Sequence, residues 1–159
     1  MTVAFFSGSR RRAALALGAV SAGLIVLTAC DKPTPIATIT VGSESVNSEA
    51  ACYNDGKPIK ESEIQKCLNK KAEKSITVSM EDKVRFGVDP EIADNGWTIF
   101  LGGQQAEQEP NKKTYRSIPA SAFFASQTGE ATNSTQVTIV ENTGKTLTGI
   151  WHFELKKES

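Results

Sequence analysis

Ser75-Ile76-Thr77-Val78-Ser79-Met80-Glu81-Asp82-Lys83-Val84-Arg85-Phe86-Gly87-Val88 alternates apolar and polar side chains in two successive runs. Ile76, Val78 and Met80 are the apolar positions of the first run, and Val84, Phe86 and Val88 those of the second. Successive side chains of a strand point to opposite faces, so each run predicts a strand buried on one side only. Glu81-Asp82 predicts a tight connection between them.

The period of two persists toward the C-terminus. Asp89-Pro90 and Asp94-Asn95-Gly96 bracket an expected loop, after which Trp97, Ile99 and Leu101 point one way and Thr98 and Phe100 the other. Gly102-Gly103 predicts a turn. Gln104 to Lys113 has no apolar period and reads as an exposed loop, and Thr114 to Ile118 as a strand. Pro119 to Phe124 is a tight segment carrying Phe123 and Phe124 side by side, followed by a polar loop from Ser126 to Ser134. Val137 and Ile139 mark a further strand and Asn142-Thr143-Gly144-Lys145 a turn. In the last strand Leu147, Gly149, Trp151, Phe153 and Leu155 share one face.

Working back from Ser75, Glu61 to Lys71 places Ile64, Cys67 and Leu68 at helical spacing among charged residues, which predicts one short helix with the Cys67 thiol turned inward. The basic run Lys66, Lys70, Lys71 and Lys74 reads as a solvated face favoured by the helix dipole, with contact to anionic lipid as the alternative. Asn54-Asp55-Gly56-Lys57-Pro58 is a turn. Val46 to Tyr53 predicts one short strand, and Ile36 to Val41 another, with Ala37, Ile39 and Val41 on its inner face and Gly42-Ser43 ending it. Seven or so short strands separated by turn residues predict a mainly β fold over residues 36–159. The expected architecture is a single antiparallel β-sandwich of immunoglobulin-like type with one short helix.

The N-terminal segment has a different composition. Arg10, Arg11 and Arg12 precede an almost unbroken apolar run from Ala13 to Leu27, with no acidic residue before Asp31. That is the pattern of a secretory signal, and the run is shorter than the roughly 20 residues a membrane-spanning helix needs. It ends in Leu27-Thr28-Ala29-Cys30, which resembles the lipobox of bacterial lipoproteins. The resemblance implies cleavage of residues 1–29 between Ala29 and Cys30, and a lipid on the Cys30 thiol that anchors the chain to the outer face of the cell membrane. Residues 30–35, with Pro33 and Pro35, are then an extended tether. Asp31 resembles the inner-membrane retention signal of Gram-negative lipoproteins, which carries meaning only in a cell with two membranes.

Loss of Arg10, Arg11 and Arg12 leaves 15 basic against 18 acidic residues, a net charge near −3, which argues against nucleic acid as a partner. With Cys30 lipidated, Cys52 and Cys67 remain as a pair in an oxidising compartment, and a disulfide between them is expected. Closing a loop of that length stabilises a fold by about 3 kcal/mol in the chain-entropy model.

Little in the chain supports catalysis. His152 is the only histidine and alternates out of phase with Trp151 and Phe153, so it is expected on the outer face or at an edge. One histidine, no free thiol and a single methionine after the signal segment cannot assemble a cupredoxin-type copper site. Asp89, Glu91 and Asp94 read as solvated turn residues rather than calcium ligands. No cofactor or metal is expected. The alternatives to a non-catalytic, envelope-associated binding module are an enzyme or metal protein of unrecognised type and a protease inhibitor of the chagasin sort, which Asn95-Gly96-Trp97 faintly resembles. An envelope protein or another ligand is the expected partner, and the loops around Asp89, Trp97, Gln104, Phe123 and Phe124 are the candidate contact regions. Phe123 and Phe124 are read first as core plugs and second as an exposed contact. Ala51-Cys52-Tyr53, Val84 to Pro90 and Gly149-Ile150-Trp151-His152-Phe153, together with the lipobox, resemble a family of uncharacterised actinobacterial lipoproteins, which implies no activity.

Overall fold

The computed structural model describes residues 33–101, 103–124, 132–143 and 146–158. Residues 1–32, which include the signal segment, Cys30 and Asp31, lie outside the described residues, as does most of the polar loop expected between Ser126 and Ser134. Among the described residues the chain is mainly β, with one sheet of four strands, one of six, and three short helices.

The first sheet grows from β1 (Ala37–Val41), where Ala37, Ile39 and Val41 are buried and the threonines between them are half-buried. At Gly42 the backbone has φ +56°, a conformation that glycine adopts without strain, and the chain returns as β2 (Glu44–Ser48). The other edge of β1 pairs with β5 (Lys83–Val88) in antiparallel register, Ile39 opposite Phe86, and β5 pairs in turn with β8 (Tyr115–Pro119). The second sheet is organised on β10 (Leu147–Lys157), which runs antiparallel to β9 (Ser134–Asn142). Beyond β9 lie β6 (Trp97–Leu101) and the two-residue β7 (Gln104–Gln105). The free edge of β10 takes two short partners: β3 (Cys52–Tyr53), antiparallel, and β4 (Ser75–Val78), parallel.

The two alternating runs first quoted therefore belong to different sheets, β4 in one and β5 in the other. The connection is tight, as expected, and is fixed by Asp82, whose carboxylate accepts a hydrogen bond from the Ser79 amide at 2.8 Å. Three further expectations need correction. The single strand over Val46 to Tyr53 is two strands, because Glu49-Ala50-Ala51 interrupts the alternation and the Ala51 amide is taken by the Ile150 carbonyl of the opposite sheet at 2.7 Å. The expected loop after Asp89 is a helix, α2 (Pro90–Asn95), with proline in its first turn and Gly96 closing it at φ +100°. The helix over Glu61 to Lys71 ends early, as α1 (Glu61–Leu68), because Asn69, Lys70 and Lys71 offer no apolar residue to extend its buried stripe.

The inner faces of the two sheets share one core: Ile39, Val84 and Phe86 from the first meet Trp97, Ile139, Trp151 and Phe153 from the second. Phe123 and Phe124, on α3 (Ser121–Phe124), are buried in this core, and Phe123 packs 5.7 Å from Phe86. A second, smaller cluster lies on the other side of β10, where Ile150 meets Ile59 and Cys67 beneath α1. The Cys52–Cys67 disulfide fastens α1 to β3 and so to that outer face, with Cα atoms 5.9 Å apart.

Candidate functional site

Because α1 covers only part of β10, a cleft of about 550 Å³ remains beside it. One wall is the end of β2 with its connection to β3, Asn47 to Ala51, and the other is the connection from α1 to β4, which supplies Lys70, Lys71 and Lys74. Ile36 stands at one end and His152 contributes to the lining. The ammonium group of Lys70 donates to the Ala51 carbonyl, joining the two walls.

His152 has the phase expected of it, pointing away from Trp151 and Phe153, yet it is only 3 % exposed because α1 and the segment after it roof that face. Its Nε2 lies 2.8 Å from the Cys67 carbonyl, which can only accept, so Nε2 carries the proton. Nδ1 is then the acceptor for the Thr138 hydroxyl at 2.9 Å and the Gln136 amide at 3.2 Å. The Gln136 amide also reaches the Lys70 carbonyl at 3.1 Å, which ties the cleft wall to the histidine. Burial pushes the imidazole pKa below its ordinary value, the Lys70 charge adds to that, and the bond to Cys67 opposes it. Both ring nitrogens are committed to neighbours in the neutral ring, an arrangement that holds α1 against β10.

A second buried polar group sits at the other side of β10. Glu141 continues the inward face of Val137 and Ile139 and is fully buried. Oε1 accepts from the Asn95 side chain at 2.6 Å, while Oε2 has no hydrogen-bond partner among the described residues. Gly149 opposite it leaves room for both neighbours: a Cβ there would fall 2.4 Å from the Trp151 ring and 2.9 Å from Oε2. Burial raises the Glu141 pKa and the Glu91 charge adds to this, while the bond from Asn95 and the nearby Thr148 hydroxyl, which donates to the Glu141 main-chain carbonyl at 3.3 Å, oppose it. Tyr53 donates to Glu91 at 3.1 Å, and burial followed by that bond and the surrounding carboxylates push its phenol upward.

The candidate contact residues fall in separate places. Trp97 is fully buried and donates its indole N–H to the Lys113 carbonyl at 2.8 Å. Phe123 and Phe124 are in the core, as first read. Asp89 is exposed but holds the start of β1, accepting from the Ile36 amide at 2.8 Å. Gln104 is exposed at the β6–β7 turn. Of Asn95-Gly96-Trp97, only Asn95 is not fully buried, and its side chain is engaged by Glu141. None of these lines the cleft, whose residues carry no motif; the one signal in the sequence was the lysine run after α1. Among the described residues no group of three or more His, Cys, Asp or Glu is placed to hold a metal, and no helix is long and apolar enough to cross a membrane.

Fold and cleft define a two-sheet β protein with a lysine-walled groove beside a disulfide-fastened helix. Comparison of the chain with family models, with curated proteins and with solved structures finds no match.

Proposed function

We propose that the protein is a lipid-anchored module of the outer face of the cell membrane, an immunoglobulin-like β-sandwich that works by binding rather than by catalysis. The observation that carries this reading is Leu27-Thr28-Ala29-Cys30 at the end of a cationic and apolar leader, five residues before the fold begins at Ile36. The Cys52–Cys67 disulfide fits an oxidising compartment. Two acyl chains at about 0.8 kcal/mol per buried CH₂ hold a protein durably at a bilayer without a spanning helix. The saturated hydrogen bonding of His152 supports the non-catalytic part, and a buried Trp97 weighs against a chagasin-like inhibitory loop.

Cys30→Ser tests the anchor. The native chain is expected in the membrane fraction with a diacylated N-terminal peptide by mass spectrometry, and the variant unprocessed at the lipobox and without acyl mass. A native chain whose Cys30 is unmodified would end the reading.

A further inference from the structure

Lysines gather on the side of the domain where the chain enters it. The larger cleft carries Lys70, Lys71 and Lys74 with Glu49 and Glu73 as its acids. A smaller cleft of about 360 Å³ shares Lys70 and adds Lys60 and Lys66 against Glu63. These five lysines and three glutamates are all exposed. The patch is thus net positive by two on a chain that, after residue 29, is net negative by about three. His152 is held neutral and adds nothing to that charge, so the lysines alone carry it.

The point of chain entry is fixed by an independent set of contacts. The Trp151 indole donates to the Pro35 carbonyl at 2.9 Å, and Pro35 is buried. Ile36 exchanges two bonds with Asp89, donating to its carboxylate at 2.8 Å and accepting from its amide at 3.1 Å. Ile36 is also part of the larger cleft. Only Asp31 to Thr34 are left to bridge Cys30 and the clamp, and fully extended they and their flanking bonds span roughly 17 Å. An acylated Cys30 therefore confines this cleft, rather than the opposite end of the sheets, to the vicinity of the headgroups. That distance is about two Debye lengths at physiological salt at full stretch and less for any relaxed tether.

We infer that the lysine-walled cleft docks on anionic phospholipid headgroups and sets the orientation of the domain on the membrane that holds its anchor. The inference rests on the anchored reading and adds a charged face to it. Lys70, bound to the Ala51 carbonyl, keeps its remaining N–H groups for a phosphate, and Lys71 and Lys74 are the flanking contacts.

The test uses the mature lipoprotein reconstituted in vesicles, either of phosphatidylcholine alone or of equal parts phosphatidylcholine and phosphatidylglycerol. Lysines are acylated with a water-soluble reagent and read by peptide mass spectrometry. Labelling of Lys71 and Lys74 is expected to fall about threefold or more on the anionic vesicles and to recover in high salt. Lys83, exposed at the end of β5 away from Asp89, is the internal control and should not change. In the Lys71→Glu/Lys74→Glu double variant, at two exposed positions, the protection of Lys66 and Lys70 should disappear while the chain stays with the vesicles. Equal labelling on both vesicle types, with the chain still vesicle-bound, overturns the docking and leaves the anchor standing. Inorganic phosphate reproducing the protection on neutral vesicles also overturns it, in favour of a free-anion site. An unmodified Cys30 and a chain left in the supernatant overturn the anchor itself.

Discussion

His152 and Glu141 are both buried on the two central strands of the larger sheet, yet they are solvated by the protein in opposite ways. His152 has a partner for each ring nitrogen; Glu141 has one oxygen bonded to Asn95 and the other, beside Gly149, without a partner among the described residues. A neutral imidazole with both nitrogens paired loses little by leaving water. A half-paired carboxylate loses most of the hydration of its charge. The two groups thus pull stability in opposite directions near neutral pH, and the difference comes from the strand face each occupies. The outer face of β10 offers backbone carbonyls and polar side chains from α1 and β9, whereas the inner end of β9 offers aromatic rings.

The disulfide that roofs His152 gives the largest expected effect. Replacing Cys52 and Cys67 together by alanine reopens a loop of sequence separation 15, whose closure is worth about 3 kcal/mol in the chain-entropy model. Equilibrium urea unfolding should show a loss of that order. Because α1 is then held to β10 chiefly by the His152 bond to the Cys67 carbonyl and by Ile64 and Leu68 packing in the Ile150 cluster, amide exchange over α1 should accelerate more than over β9. Uniform acceleration across both would mean that the disulfide acts on the unfolded chain alone and that α1 is not its local dependant.

His152→Ala should come next, at about 2 kcal/mol near pH 7.5, from the cavity and the stranded Cys67 carbonyl and Thr138 hydroxyl. The pH dependence sharpens the comparison. The folded-state pKa lies below the ordinary 6.5, so the unfolded chain takes up the proton first. The stabilisation is fully present above pH 6.5 and is lost as pH falls below it toward the folded value. The gap between native protein and variant should therefore narrow from pH 7.5 to pH 5.5. A constant gap would show that the ring titrates alike in both states and that its buried hydrogen bonds do not hold it neutral.

How much of this was legible in the sequence follows from the range of each signal. Alternation at Ile76 to Val78, Val84 to Val88 and Gly149 to Leu155 announced strands and their inward faces, and it placed Trp151 and His152 on opposite sides of β10. Met80, by contrast, is exposed beyond the end of β4, and a register shift separates Leu147 from the face it was read to share. The cysteine count, taken with the oxidising compartment expected from the leader, announced the disulfide. Alternation says nothing about which strand a run pairs with, so the parallel pairing of β4 with β10 and the crossing between sheets at Asp82 were not visible. Asp89-Pro90 could have been read as a helix start, since proline in a first helical turn is favoured, but a turn reading uses the same residues. The cleft was invisible for a deeper reason. Its walls are two connections brought together by the disulfide and the Lys70 bond, and neither connection has a motif of its own. His152 was expected on an outer face, and only the position of α1 makes that face an interior.

Glu141→Gln is the smallest effect and has the opposite sign. The amide keeps the acceptor for Asn95 and removes the buried charge, so the variant should be more stable than the native protein at pH 7, by up to about 1 kcal/mol. The folded-state pKa of Glu141 lies above the ordinary 4.5, so the folded chain takes up a proton at a pH where the unfolded chain is still ionised. The native protein recovers what the charge costs as pH falls through the folded value toward 4.5, and the two unfolding curves should converge there. The His152 variant narrows its gap by the loss of native stability on the acid side; the Glu141 variant narrows its gap by a native gain. A Glu141→Gln protein less stable than native at pH 7 would mean that Oε2 is satisfied in solution and that the inner end of β9 solvates charge as well as the outer face of β10 does.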